Sequence, residues 1–93
     1  MKYTLDNLNF PVVAIGTQII NGEVNLKNHT ILFKSRNNFN EFLGETEEII
    51  SELYGEDMKK VVSSFENGVE LFYYTDTKTN YVKWHIYSIE SQH

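Results

Sequence analysis

On either side of Thr75 to Asn80 the chain alternates apolar and polar side chains, and the two alternations fit each other in a single register. Val69, Leu71 and Tyr73 precede the turn residues and Val82, Trp84 and Ile86 follow them. A four-residue loop from Asp76 to Thr79 sets Thr75 opposite Asn80 and places all six apolar residues on one face. The other face then pairs Tyr74 with Tyr81, Phe72 with Lys83 and Glu70 with His85. These are an aromatic pair, a cation over a ring and a pair of opposite charge, each favourable between neighbouring strands. A slip of one residue would scramble both faces, so the pattern predicts a hairpin over Val69 to Ile89 with this pairing.

A second hairpin is expected near the start. Val12, Val13, Ala14, Ile15, Ile19 and Ile20 are mostly β-branched, with Gly16 as a bulge or point of close approach, and Asn21-Gly22 is the signature of a type I′ turn. Pairing Ile20 with Glu23 sets Ile19 opposite Val24 and Thr17 opposite Leu26. Asn28-His29 interrupts the next alternation, so 23–34 reads as one bulged strand or as two short ones, the second from Thr30 to Lys34.

The period changes at Phe39. Phe39, Phe42, Leu43, Thr46, Ile49, Ile50 and Leu53 recur with helical spacing, Asn38 and Glu41 resemble a capping box, and Gly55 is a natural stop. Gly44 inside the helix weakens it by up to ~1 kcal/mol relative to Ala. The spacing of Met58, Val61, Val62 and Phe65 predicts a second helix, capped by Asp57 and ended by Asn67-Gly68. The expected order is β-β-(β)-α-α-β-β: an α+β fold whose antiparallel sheet of four to five strands carries two helices on one face.

The 93 residues suit a single domain, 1–93, and six Phe, six Tyr and one Trp can build its core. No cysteine is present, which removes disulfides, thiolate catalysis and cysteine zinc sites. No apolar stretch approaches the roughly 20 residues of a membrane helix. An acid within the first six residues and the lack of an apolar run there give no secretory signal, so a cytoplasmic protein without membrane contact is expected.

Charge is the pointer to function. The chain carries −5, but the segment from Asn37 to Met58 alone carries −7, leaving the other 71 residues at +2. Its seven acids are Glu41, Glu45, Glu47, Glu48, Glu52, Glu56 and Asp57, and it holds no Lys or Arg. On a helix Glu41, Glu45, Glu48 and Glu52 form one row within about 60° of arc and about 16 Å long. Like charges so spaced repel by about 0.2–0.5 kcal/mol per pair, and no base in the row offsets them. Neighbouring carboxylates sit about 5–6 Å apart, the scale of phosphates along a nucleic-acid strand. Such a row fits a basic groove built for a backbone, whereas −5 argues against direct binding of nucleic acid. The competing expectation is a hydrated face that keeps the chain soluble.

The remaining candidates are weaker. Phe72, Tyr74, Tyr81, Lys83, His85 and Tyr87 form either an aromatic interface or a face covered by the N-terminal residues Tyr3, Leu5, Leu8 and Phe10. His85 beside Glu70 has the makings of a base and its orienting carboxylate, yet no nucleophile accompanies it. No two of His29, His85 and His93 have metal-ligand spacing, and no phosphate-binding or hydrolase motif occurs. The expectation is a binding protein without enzymatic activity, cofactor or metal. It acts as an inhibitor or immunity-type nucleic-acid mimic whose acidic helix blocks the basic surface of a nuclease or other nucleic-acid-binding protein. Small phage or mobile-element inhibitors supply the analogy. Partner contacts would come from the seven acids with Tyr74, Tyr81 and Tyr87 as anchors. The alternatives are a homodimer or larger homo-oligomer built on the Tyr-rich hairpin, and a small ligand-binding protein.

Overall fold

The computed structural model describes residues 3–55, 58–75 and 79–89. Five strands and one helix follow in the order β1 (Val12–Ile20), β2 (Glu23–Phe33), α1 (Arg36–Tyr54), β3 (Lys59–Ser64), β4 (Gly68–Tyr74) and β5 (Tyr81–Ser88). The sheet is antiparallel throughout, in the spatial order β2-β1-β5-β4-β3. The helix carries the chain from one edge, β2, to the other, β3, and covers one face on the way. At 1.5 Å per residue its 19 residues reach about 28 Å, more than the ~19 Å between the edge strands.

The α+β class and the antiparallel sheet agree with the sequence, but the second helix does not form. Lys59–Ser64 is edge strand β3, pairing with β4 from Lys59–Tyr74 to Ser64–Val69. Val61, Val62 and two serines are weak helix formers, and the free edge of β4 offers them a complete hydrogen-bond ladder. Asn67-Gly68 is accordingly the turn from β3 to β4, closed by Phe65 N–H donating to Gly68 O at 2.8 Å. The expected cap Asp57 lies outside the described residues.

Both hairpins form. β4 and β5 pair Tyr74 with Tyr81, Phe72 with Lys83 and Glu70 with His85, and Thr75 N–H reaches Asn80 O at 3.1 Å. Asn21 and Gly22 have φ of 52° and 81°, as a type I′ turn requires. Their amides bond to Asn80 Oδ1 and Thr79 O, both at 2.8 Å, so the two hairpin turns clasp each other. β2 is one strand with two extra residues against β1. Leu26 therefore faces Gln18, where the sequence suggests Thr17, and His29 faces Gly16. Asn28 takes up the second insertion in the left-handed region, with φ 52°. Two such bulges cancel in register and return Ile31 and Phe33 to the helix side.

Ser35, and not Asn38, caps α1: its hydroxyl accepts the Asn38 amide at 3.3 Å. Gly55 ends the helix as expected, at φ 60°. Beneath the helix, Phe39 is fully buried, with Phe10 and Phe33 rings centred 5.6 and 5.5 Å away. Val12, Ala14, Leu71, Tyr73, Trp84 and Ile86 supply the sheet side of this core. Trp84 lies over Gly16 and meets Phe42 edge-on at 4.9 Å. The N-terminal segment packs on the same side, with Leu8 buried and Tyr3, Leu5 and Phe10 against the core. Arg36 holds it there by donating to Leu5 O and Leu8 O at 3.0 and 3.1 Å and lying 4.9 Å over the Phe10 ring.

A β-carbon on Gly16 would fall 2.5 Å from the Trp84 ring, whereas one on Gly44 meets nothing within 4 Å. Gly16→Ala should lower stability by about 1–3 kcal/mol through displacement of Trp84. Gly44→Ala should raise it by up to ~1 kcal/mol. Urea denaturation followed by tryptophan fluorescence measures both.

Candidate functional site

The core side of α1 runs along Phe39, Leu43, Ile50 and Tyr54 and leaves Ile49 and Leu53 53% and 58% exposed. The buried line is thus turned about 50° from the centre of the apolar pattern, counting 100° per residue. That turn sets Glu41, Glu45, Glu48 and Glu52 almost diametrically away from the sheet, all four exposed. Among the described residues none of them has an ion-pair or hydrogen-bonding partner for its side chain.

Glu47 is treated differently. It faces the β3–β4 edge, where Lys60 Nζ lies 2.8 Å from its Oε2 and the Tyr73 hydroxyl donates to the same oxygen at 3.0 Å. The hydrogen bond from Lys60 holds the Glu47 carboxyl below its usual range, aided by Tyr73 and opposed by burial. Burial, with the Glu47 charge beside it, pushes the Tyr73 phenol above its ordinary value. Glu47 therefore serves an internal contact, although the sequence groups it with the partner-facing acids. Glu56 and Asp57 lie outside the described residues. The Lys60 contact is hidden in the sequence because it depends on β3 being a strand. The signal available was the Lys59-Lys60 pair placed directly after an uninterrupted acidic run.

The second surface is the sheet face away from α1. Strand register puts Val13, Ile15 and Ile19 of β1, Leu32 and Val24 of β2, Val61 of β3, and Phe72, Tyr74, Tyr81 and Tyr87 of β4 and β5 on it together. Val24, Leu32 and Val61 are 61%, 50% and 43% exposed. The N-terminal residues that could have covered this face are on the opposite side, and no described element replaces them. Its rings are already arranged: Phe72 stacks on Tyr74 at 5.0 Å, His85 on Tyr87 at 6.0 Å, and Lys83 Nζ lies 5.4 Å over Phe72.

His85 Nε2 and Glu70 Oε2 are 3.4 Å apart on this face, an ion pair whenever the imidazole is protonated. The hollow beside His85, about 140 Å³, is lined by Phe65, Asn67, Val69, His85 and Tyr87 and leaves Glu70 out. His29 lies within β2, its ring 6.5 Å from Trp84. Under the C-terminal half of α1 a hollow of about 210 Å³ is bounded by Gln18, Leu26, Thr46, Ile49, Ile50, Val82 and Trp84. The Trp84 indole nitrogen is buried with no hydrogen-bond acceptor among the described residues. Among the described residues no three His, Cys, Asp or Glu converge as metal ligands, and no helix is long and apolar enough to cross a membrane.

The geometry defines a two-layer α+β fold with an acidic outer helix and an aromatic sheet face that no other described element covers. No family model, curated protein or solved structure matches this chain.

The Glu47 contact has a pH signature. A carboxyl whose folded pKa is depressed contributes stability above its unfolded value of about 4.3, lost as pH falls through the folded value. Tyr73 acts in reverse: its raised folded pKa means that stability falls as pH climbs past about 10. Glu47→Gln should be less stable than the parent at pH 7 by under ~1 kcal/mol, the range of a solvent-accessible pair, with the gap closing by pH 3. Tyr73→Phe should lose the decline above pH 10. Denaturant midpoints across pH read out both effects.

Proposed function

We propose that this chain is a protein-binding module that acts by occupying the basic surface of another protein, with Glu41, Glu45, Glu48 and Glu52 as the docking charges. The observation that carries the reading is the contrast along one helix. The acid that faces the sheet, Glu47, is matched by Lys60 and Tyr73, whereas the four that face solvent are left unmatched and aligned. Repulsion within the row is small, about 0.2–0.5 kcal/mol per pair, so a folded helix tolerates it. A basic groove removes that repulsion on binding, and the long-range field accelerates the encounter.

The partner class is a nuclease or another nucleic-acid-binding protein, because carboxylates about 5–6 Å apart mimic the phosphate spacing such grooves accept. The row itself needs no chemistry from the module: it excludes the substrate by filling the groove. Occupation of this kind calls for a rigid display, and α1 supplies one through the Phe39 cluster beneath it.

The test uses the tagged protein and the double variant Glu45→Lys/Glu48→Lys as baits in nuclease-treated host lysate, at low and at high salt. The parent should retain basic nucleic-acid-binding proteins at low salt, and the variant, folded by circular dichroism, should retain them at least about tenfold less. Raising the salt should release them from the parent. An identical captured set for parent and variant would overturn the reading.

A further inference from the structure

We infer that the uncovered sheet face is the interface of a symmetric homodimer, packed face to face with a second copy of this chain. The face is continuous across all five strands and holds Ile15, Leu32, Phe72, Tyr74, Tyr81 and Tyr87. Monomeric proteins rarely leave an apolar patch of more than a few hundred Å² in water. Five strands about 4.8 Å apart and about seven residues long at 3.3 Å present about 550 Å² in projection. Side-chain relief raises the accessible area further, towards the roughly 800 Å² per partner of a stable interface.

Charge selects the second copy as the occupant. A protein of net charge −5 repels its own kind, and the repulsion is least where the surface holds no excess of acid and lies farthest from the acidic row. This face is far from that row and holds no excess of acid: Glu70 is its one carboxylate among the described residues, beside Lys59 and Lys83. Glu70 lies 3.4 Å from His85, Lys83 sits over Phe72, and the four-carboxylate row is on the far side of the molecule. Few charges interrupt its apolar and aromatic side chains, so it has little field with which to select a strongly charged partner, and a second copy meets it where the acidic rows are farthest apart. The stacked rings are also positioned before contact, so association immobilises few side chains.

In this dimer the two sheets pack about 10 Å apart with central strand β5 crossing its counterpart, as in aligned sheet packing. The four layers run helix, sheet, sheet, helix, and both acidic rows point outward. The interface owes nothing to those rows, so it is independent of the partner proposed above.

Sedimentation equilibrium of the purified protein from about 1 to 300 µM provides the test. The parent should form a dimer that persists or tightens from 0.1 to 1 M NaCl, since salt weakens charge-driven contacts and not apolar burial. Ile15→Lys and Phe72→Lys, each checked for native circular dichroism, should raise the dimer dissociation constant at least about 30-fold. Glu45→Lys/Glu48→Lys should dimerise like the parent. A chain that stays monomeric at 300 µM overturns the proposal, including one that instead binds lipid vesicles through this face. So does a dimer that both face variants leave unchanged, or one that 1 M NaCl dissociates.

Discussion

The seating of one helix on one face of the sheet is the contact on which the whole molecule depends. Phe39 is fully buried between Phe10 and Phe33, and Phe42 meets the edge of Trp84, which in turn lies over the bare backbone of Gly16. This aromatic stack spans the N-terminal segment, both hairpins and the helix. Arg36 closes it at one end by tying the Leu5 and Leu8 carbonyls to the start of α1. Because the helix and the N-terminal segment both lie on one side, the sheet has one dry face and one that no described element covers.

The two outer surfaces follow from that seating. Turning α1 so that Ile50 and Tyr54 reach the sheet moves Ile49 and Leu53 to the flank and brings the glutamate row opposite the core. Drawing the N-terminal residues to the helix side strips the other face of the sheet. A small domain thus keeps its charge and its apolar surface apart, on opposite sides of one sheet. Each can act without disturbing the other, since the sheet backbone between them is fixed by its hydrogen-bond ladders.

Local signals were sufficient where two faces were strictly different. The β4–β5 register was readable because a slip would have exchanged Trp84 with Lys83 or His85. The Asn21-Gly22 turn was readable because few residue pairs accept two positive φ values. β3 was obscured because an edge strand with both sides half in water has no strict alternation, and Met58, Val61, Val62 and Phe65 happen to match helical spacing. Only the pairing with β4, distant contact that no window of sequence contains, decides it. The same gap hid the partner of Glu47, because Lys60 faces that carboxylate only from a strand. The outward row of four acids was legible from spacing alone. Its lack of partners was not, for that depends on what the fold brings near.

The two extra residues in β2 also determine how this protein avoids uncontrolled assembly. Among the described residues β2 and β3 are the edge strands of the sheet, the places where another strand could add. The bulges of β2 bend and twist its edge, and β3 begins with Lys59-Lys60, long polar side chains that flank that edge. Fibre growth by edge-to-edge addition is thereby blunted at both ends, and a cross-β ladder has no flat template from which to start. The broad faces of sheet and helix, and not the two edges, are then the surfaces from which the proposed contacts would be made.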